Sequence, residues 1–481
     1  MKNSLYILTL GLLLGTLFLT ACQSDALPNE DNGKPVVSCT DSCYLNLQIV
    51  NNTKPTTRAT IAATAAENAV YDGILCIFEG PDEVTATLKT AVAIDQLIKN
   101  PGSTDNPQTM NITQRLAYGT HSYVTGHHLY VLALLNTTST GFRIGGTNKN
   151  VLYYKDATKT GCTISQIQSL TIGSVGSTDE HVGLFMSNAP QTGYIMPEVT
   201  SSYLFDTPAA AAAGSRLTIN VERAAAKVSV TDATTTLTDI KLNPRSSDTG
   251  YRYPFVHKMT WTLNKYNTQS YAIRTGSTAA NNWATSVNAL TTLTAKDFSL
   301  YPQQSHSQDI VYIGENTTGT DTEVIVEVQL KDNNNMLIHE GFVFRPFNDT
   351  FVENAYTDFY TSAEQYIAYL RDELPPANKA GYGLGGIDNA DIFKYATVTL
   401  GNNGAVTITL VNSDLTPDQQ TRLTDLASFL SNHTTGFRDG KMYYTYKIKH
   451  DNTHTYGVVR NNAYNLTLQN TSVTRVGRPT P

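Results

Sequence analysis

"CYLNLQIVNNTKPTTRAT", residues 43–60, decides how the rest of the chain is read. Leu45, Leu47 and Ile49 alternate with Asn46 and Gln48, the period-two pattern of a strand with one buried face. A polar, proline-containing stretch follows and ends in Arg58; such exposed segments are where trypsin-like proteases cut most readily. A good core strand therefore stands just upstream of an expected cleavage site.

The chain has 481 residues, enough for two domains with ample core. Charged residues make up 16% and the net charge is −7, so neither a basic surface for nucleic acid nor an acidic tail stands out. Tyrosine is plentiful at 27 residues, which together with abundant Thr and Asn suits a strand-rich extracellular protein. Met1-Lys2-Asn3 precede an apolar run from Leu5 to Leu19 and then "LTAC" at 19–22. A short positive start, an apolar stretch and small residues before a cysteine form the pattern of a bacterial lipoprotein signal. On this reading residues 1–21 are removed and Cys22 carries the lipid, palmitate among its acyl chains. At about 0.8 kcal/mol per buried CH₂, several such chains hold firmly to a membrane. Cys39, Cys43, Cys76 and Cys162 lack the paired spacing of a zinc site. A cut after Arg58 leaves Cys76 and Cys162, which either pair or stay as buried hydrophobes.

Residues 23–42 are polar and irregular and read as a tether. Strand-like runs follow at 73–80, 127–136 and 182–188, with a helical pattern at 91–100. The polyalanine at 207–216 reads as a linker or loop, and the alternating "LTINVERAAAKVSVT" leads to an expected domain junction near residue 230. Strand patterns recur at 309–332, 403–412, 440–450 and 462–470. Two helices have start signals: Ser362 with Gln365, and Thr416-Pro417 with Gln419, the second presenting Leu423, Leu426, Phe429 and Leu430 on one face. Mainly β architecture is expected, as two antiparallel β-sandwich domains with a few short helices. The boundaries are 1–21 signal, 22–58 propeptide, 59–230 N-terminal domain and 231–481 C-terminal domain.

Motifs that would carry chemistry fail on context. "GYGLGG" (381–386) lacks the preceding strand and following helix of a dinucleotide site. His127 and His128 point to opposite faces of a strand, and His450 and His454 flank a turn with no third ligand nearby. Asp388 and Asp391 are a carboxylate pair in sequence only. No catalytic, cofactor-binding or metal-binding residue is assigned, and the chain is read as non-enzymatic.

The lipobox, the alternating strand and the loop arginine precede a β-rich body with "LYVLALLN" (129–136), "GLFMSNAP" (183–190), "VERAAAKVSV" (221–230), "YIGENTTGT" (312–320) and "YGVVRNNAYNLTL" (456–468). In this order the chain resembles the fimbrillins of Bacteroidia, the subunits of surface fimbriae, and within them the minor-fimbrium type. The resemblance implies transthyretin-like sandwiches and export as a lipoprotein to the outer membrane. It implies cleavage between Arg58 and Ala59 by an arginine-specific surface protease. It further implies loss of the strand carrying Leu45, Leu47 and Ile49, and insertion of another subunit's strand in its place. Burying those three side chains is worth roughly 1.5–3 kcal/mol each, and an emptied slot is a template for strand addition.

Stalk subunits of this family continue beyond the "RNNxYxLxL" strand with a donor segment. Here "TSVTRVGRPTP" (471–481) has no convincing alternating run, apart from a short candidate at Val473–Val476. The expectation is therefore a tip subunit suited to adhesion, able to receive a strand but not to give one. A stalk subunit is the first alternative. A surface glycan-binding lipoprotein, with Tyr443, Tyr444 and Tyr446 as an aromatic platform, is the second.

Overall fold

The computed structural model describes residues 42–51, 64–94, 109–117, 127–155, 158–161, 163–173, 183–191, 193–232, 255–274, 290–291, 310–317, 320–332, 334–344, 359–373, 376–450, 457–468 and 477–479. Cys22, Cys39, Arg58, Ala59, Cys162, His454 and Val473–Val476 lie outside them. The architecture is mainly β with few short helices.

The largest sheet among the described residues has nine strands. These are β1 (Ser42–Asn51), β2 (Gly73–Gly80), β3 (Thr87–Ala93), β4 (Thr109–Ala117) and β5 (His128–Leu135), followed by later segments of the same half. Between β5 and those segments lie β6 (Phe142–Gly145), β7 (Val151–Tyr154), β8 (Thr158–Gly161) and β9 (Thr171–Ile172). The sheet is then completed by β10 (Met186–Asn188), β11 (Glu198–Val199), β12 (Leu204–Phe205) and β13 (Leu217–Arg223). Its order is β12-β1-β13-β10-β5-β2-β3, with β4 also on β1 and β11 also on β5.

One face of this curled sheet encloses a core that includes Leu45, Leu47, Ile49, Leu75, Ile77, Ile112, Val131 and Ile219. The opposite face of β2 and β5 carries Cys76, Phe78, Leu132 and Leu134 into a second core with Phe142, Leu152, Ile167 and Phe185. Burial on both faces explains why "GILCIFEG" and "HLYVLALL" are nearly continuous apolar runs rather than alternating ones. The first of these layers is thus one sheet wrapping its own core, in place of the expected face-to-face sandwich.

At Ala224–Ala225 the chain leaves β13 and enters β14 (Ala226–Asp232), which belongs to another sheet. The C-terminal strands are β15 (Phe255–Asn264), β16 (Tyr266–Asn267), β17 (Ser270–Tyr271), β18 (Leu290–Thr291), β19 (Ile310–Ile313), β20 (Glu323–Lys331), β21 (Glu340–Phe344) and β22 (Phe359–Tyr360). They continue with β23 (Thr397–Leu400), β24 (Val406–Thr409), β25 (Thr434–Arg438), β26 (Lys441–Lys447) and β27 (Ala463–Leu468). Three-stranded sheets β19-β14-β27, β15-β20-β26 and β22-β21-β25 surround a core of Val228, Trp261, Val326, Val343, Phe437 and Tyr444. Pairing is antiparallel throughout the described ladders except β1 with β13 and β14 with β27, which run parallel. Alternation in a sequence reports which face is buried and not the direction of the neighbour, so these two pairs depart from the antiparallel expectation.

Seven short helices are described: α1 (Ala65–Asn68), α2 (Ile164–Gln168), α3 (Pro208–Ala213), α4 (Ala363–Glu373), α5 (Pro376–Gly381), α6 (Asn389–Ile392) and α7 (Pro417–Asn432). In α7 the Thr416–Gln419 capping box closes in both directions, and Leu423, Leu426 and Leu430 are buried. In α4 only half the box forms: Ser362 Oγ accepts from the Gln365 N–H, while the Gln365 side chain accepts from Thr361. Two expectations are corrected. The polyalanine is helix α3, capped by Thr207 with Pro208 in its first turn. The helical pattern expected at 91–100 begins as strand β3, because Ala91–Ala93 pair with Ile74–Cys76; residues 95–100 lie outside the described residues.

Candidate functional site

Strand β1 is held along both of its edges. On one edge Ser42–Val50 pair antiparallel with β4 from Ala117 to Thr109. A backbone has only two edges, so the remaining partners share the other: Tyr44 and Leu45 pair with β12, and Leu47–Asn51 pair parallel with β13. Cys43, Leu45, Leu47 and Ile49 are each 0% exposed. The strand is therefore an interior member of the sheet, where a first strand is more simply expected at an edge. Were it absent, β4 on one side and β12 and β13 on the other would each lose a hydrogen-bonding partner, and the core would open along its length.

The polar side chains of β1 are also engaged. Asn46, 2% exposed, lies on the face opposite the leucines, and its Nδ2 donates to the carbonyls of Gly214 (3.0 Å) and Ser215 (3.2 Å) just past α3. Asn51, at the end of β1, donates Nδ2 to Asn68 Oδ1 at 2.9 Å. Asn68 belongs to α1, on the far side of the Arg58 position in the sequence.

Helix α1 is anchored to both halves of the chain. The buried Glu67 carboxylate accepts from Lys227 (2.9 Å), Tyr312 (2.7 Å) and the Thr64 N–H (2.6 Å). Burial works against its charge, yet these hydrogen bonds, that from Lys227 foremost, hold its carboxyl below the usual range. Arg223 donates Nε to the Glu67 carbonyl, Nη2 to Asn68 Oδ1 and Nη1 to Asn461 Oδ1. Two further ion pairs lie beside it, Arg274 on both oxygens of Glu222 and Arg460 on Glu315 at 2.9 Å. The segments "VERAAAKVSV", "YIGENTTGT" and "YGVVRNNAYNLTL" thus meet at one buried polar junction, which no local spacing in the sequence reveals.

Among the described residues no group of three or more His, Cys, Asp or Glu side chains stands close enough to hold a metal. Cys76 is a buried free thiol, pushed up to about 12 by burial. His128 pairs with Glu198 at 2.8 Å. His450, read from the sequence as flanking a turn, is buried against the Tyr464 hydroxyl (2.7 Å). Asp388 caps α6 through the Ala390 N–H. An exposed tyrosine platform is also overturned. Tyr444 is 1% exposed within the C-terminal core, Tyr443 is buried with its hydroxyl on Glu327, and Tyr446 packs partly buried against the same core. Of the C-terminal stretch, Gly477–Pro479 are described, and Arg478 exchanges both backbone hydrogen bonds with Tyr443 on the free edge of β26 (2.9 and 2.8 Å).

No family model matches the chain, and no curated protein matches it. Solved structures do. One is a candidate cell adhesion protein of Parabacteroides distasonis, at 13% identity and a TM-score of 0.31, covering 66% of this chain and 78% of that one. Another is a fimbrial assembly protein of the same species, at 14% identity and a TM-score of 0.31, covering 60% and 84%. The tip fimbrial protein Mfa3 of Porphyromonas gingivalis, C-terminally truncated, is similar at 11% identity and a TM-score of 0.27, covering 62% and 80%.

Proposed function

We propose that the chain is a structural subunit of a cell-surface fimbrium, assembled by exchange of strand β1 for a strand of another subunit. The observation that carries this reading is the pairing of β1 on both edges, with Cys43, Leu45, Leu47 and Ile49 fully buried, ahead of the arginine at position 58. In the precursor β1 fills its own slot, so no acceptor is open. An arginine-specific protease cutting between Arg58 and Ala59 severs β1 from the body while α1 stays anchored through Glu67 and Asn68. Without a covalent link β1 becomes replaceable, and an incoming strand gains the same ladders and the same core.

We place the subunit at the tip of the fibre, in a position suited to adhesion. The described part of the C-terminal stretch is in keeping with this, because Arg478 is paired with Tyr443 on the chain's own β26. Before processing, the lipid on Cys22 holds the precursor at the outer membrane; afterwards the subunit belongs to the fimbrium. The test is Arg58→Ala in the producing cell. The expected result is a monomeric lipoprotein absent from fimbriae, and incorporation at the wild-type level contradicts the proposal. Immunogold labelling should place the subunit as one terminal spot, and staining along the fibre assigns it to the stalk instead.

A further inference from the structure

The apolar face of the β1 slot does not define its own register. Cys43, Leu45, Leu47 and Ile49 repeat every two residues and are all fully buried. A slip of one residue turns the whole apolar set outward, but a slip of two returns apolar side chains to the core. Backbone ladders are equally indifferent to a two-residue shift. Apart from Asn51 at its end, which donates to Asn68, what distinguishes one register from the next lies on the opposite face, where Tyr44, Asn46, Gln48 and Val50 project. Of these Tyr44, Gln48 and Val50 are only half-buried, whereas Asn46 is 2% exposed.

Asn46 occupies a singular point of the ladder. It stands between the residues paired with β12 (Tyr44, Leu45) and those paired with β13 (Leu47–Asn51). Helix α3 crosses over from β12 to β13, and the Asn46 amide meets its C-terminal end at the Gly214 and Ser215 carbonyls. Carbonyls past the end of a helix have no intrahelical donor and favour such a partner. Their position is set by the sheet itself. A Cβ on Gly214 would lie 2.1 Å from the Phe205 ring, and Phe205 is the residue paired with Tyr44.

We propose that position 46 is the register key of the slot, and that the strand replacing β1 carries a short amide there. The occupant is a strand of another subunit, running parallel to β13. It presents apolar residues at the slot positions of Cys43, Leu45, Leu47 and Ile49, with Asn between the second and third of them. The inference rests on the strand-exchange reading above and specifies the sequence of the partner. An apolar residue at that point loses both hydrogen bonds, to a half-buried Gly214 and an exposed Ser215, which weakens the correct register about fivefold to a hundredfold and lets the shifted ones compete.

The test uses the full chain cut after Arg58 and peptides of residues 42–51 as probes. Displacement of the cut segment is followed by mass spectrometry under native conditions. A photo-crosslinking leucine analogue at position 47 reports the register. The wild-type peptide is expected to enter and crosslink opposite Ile112 and Leu217, its partners in β4 and β13. The Asn46→Leu peptide is expected to bind at least about fivefold more weakly, with crosslinks two residues away. Equal binding of both peptides in one register overturns the proposal while leaving strand exchange intact. Failure of the wild-type peptide to enter at all overturns strand exchange, and the register key with it.

Discussion

Asn51 donates its side-chain amide to Asn68 at 2.9 Å, joining the last residue of β1 to the helix that follows the Arg58 position in the chain. Asn68 in turn receives Arg223, and Arg223 reaches Asn461 beside β27. Strand β1 is thereby tied by a short chain of hydrogen bonds to the junction between the N-terminal sheet and the C-terminal strands.

Leu47 is 0% exposed in the β1 face of the core. Leu47→Ala should therefore destabilise the uncut chain by about 3 kcal/mol. The measurement is urea unfolding before cleavage. If β1 is replaced on assembly, as proposed, the same substitution should leave the resistance of fimbriae to denaturant unchanged.

Gly214→Ala should lower stability by about 1–3 kcal/mol, because its added methyl group meets the Phe205 ring at 2.1 Å. The same shift displaces the carbonyls that Asn46 uses. Combined with Asn46→Ala, the effects should be less than additive in a double-mutant cycle of thermal unfolding.

Glu67 gives a pH dependence with a definite sign. Its carboxyl is held below the ordinary 4.5 in the folded chain, burial being outweighed by hydrogen bonds from Lys227, Thr64 and Tyr312. The stabilisation it brings is therefore present above pH 4.5 and is lost as pH falls below that value towards the folded pKa. Glu67→Gln should flatten this part of the stability profile and cost about 3 kcal/mol at neutral pH, because Lys227 stays buried without its partner. Thermal unfolding of both forms between pH 3 and 7, on the order of one unit per step, reads the difference.

Arg460 is fully buried, with Nη2 on Ser270, the Tyr271 carbonyl and Glu315. Arg460→Ala should destabilise the chain by about 3–5 kcal/mol, because Glu315 then remains as an uncompensated buried charge. Glu315→Gln with Arg460→Met should recover part of that loss, as followed by chemical unfolding.

The strand "YLNLQIV" was legible because alternation reports a buried face wherever one face alone meets the core. That same rule hid Asn46: its place in the pattern marks it as solvent-facing, whereas its amide meets the end of the α3 crossover. Helix α3 itself was obscured by brevity, although Thr207 and Pro208 are the cap and first-turn residues of a short helix. The parallel β1–β13 pair was beyond reach, because hydrophobic period carries no information on strand direction. The junction residues Glu222, Arg274, Glu315 and Arg460 sit far apart in the sequence, and ion pairs formed by tertiary folding leave no local spacing to find. Helix α7 was the easiest element, since its cap, its apolar stripe and its burial all agree.

The most direct measurement of the central claim is N-terminal sequencing of the subunit recovered from the cell surface in its assembled form. Exchange of β1 after processing predicts an N-terminus at Ala59 and no residue of Ser42–Asn51 covalently attached. An assembled subunit that begins at an acylated Cys22 and retains its own β1 would contradict it.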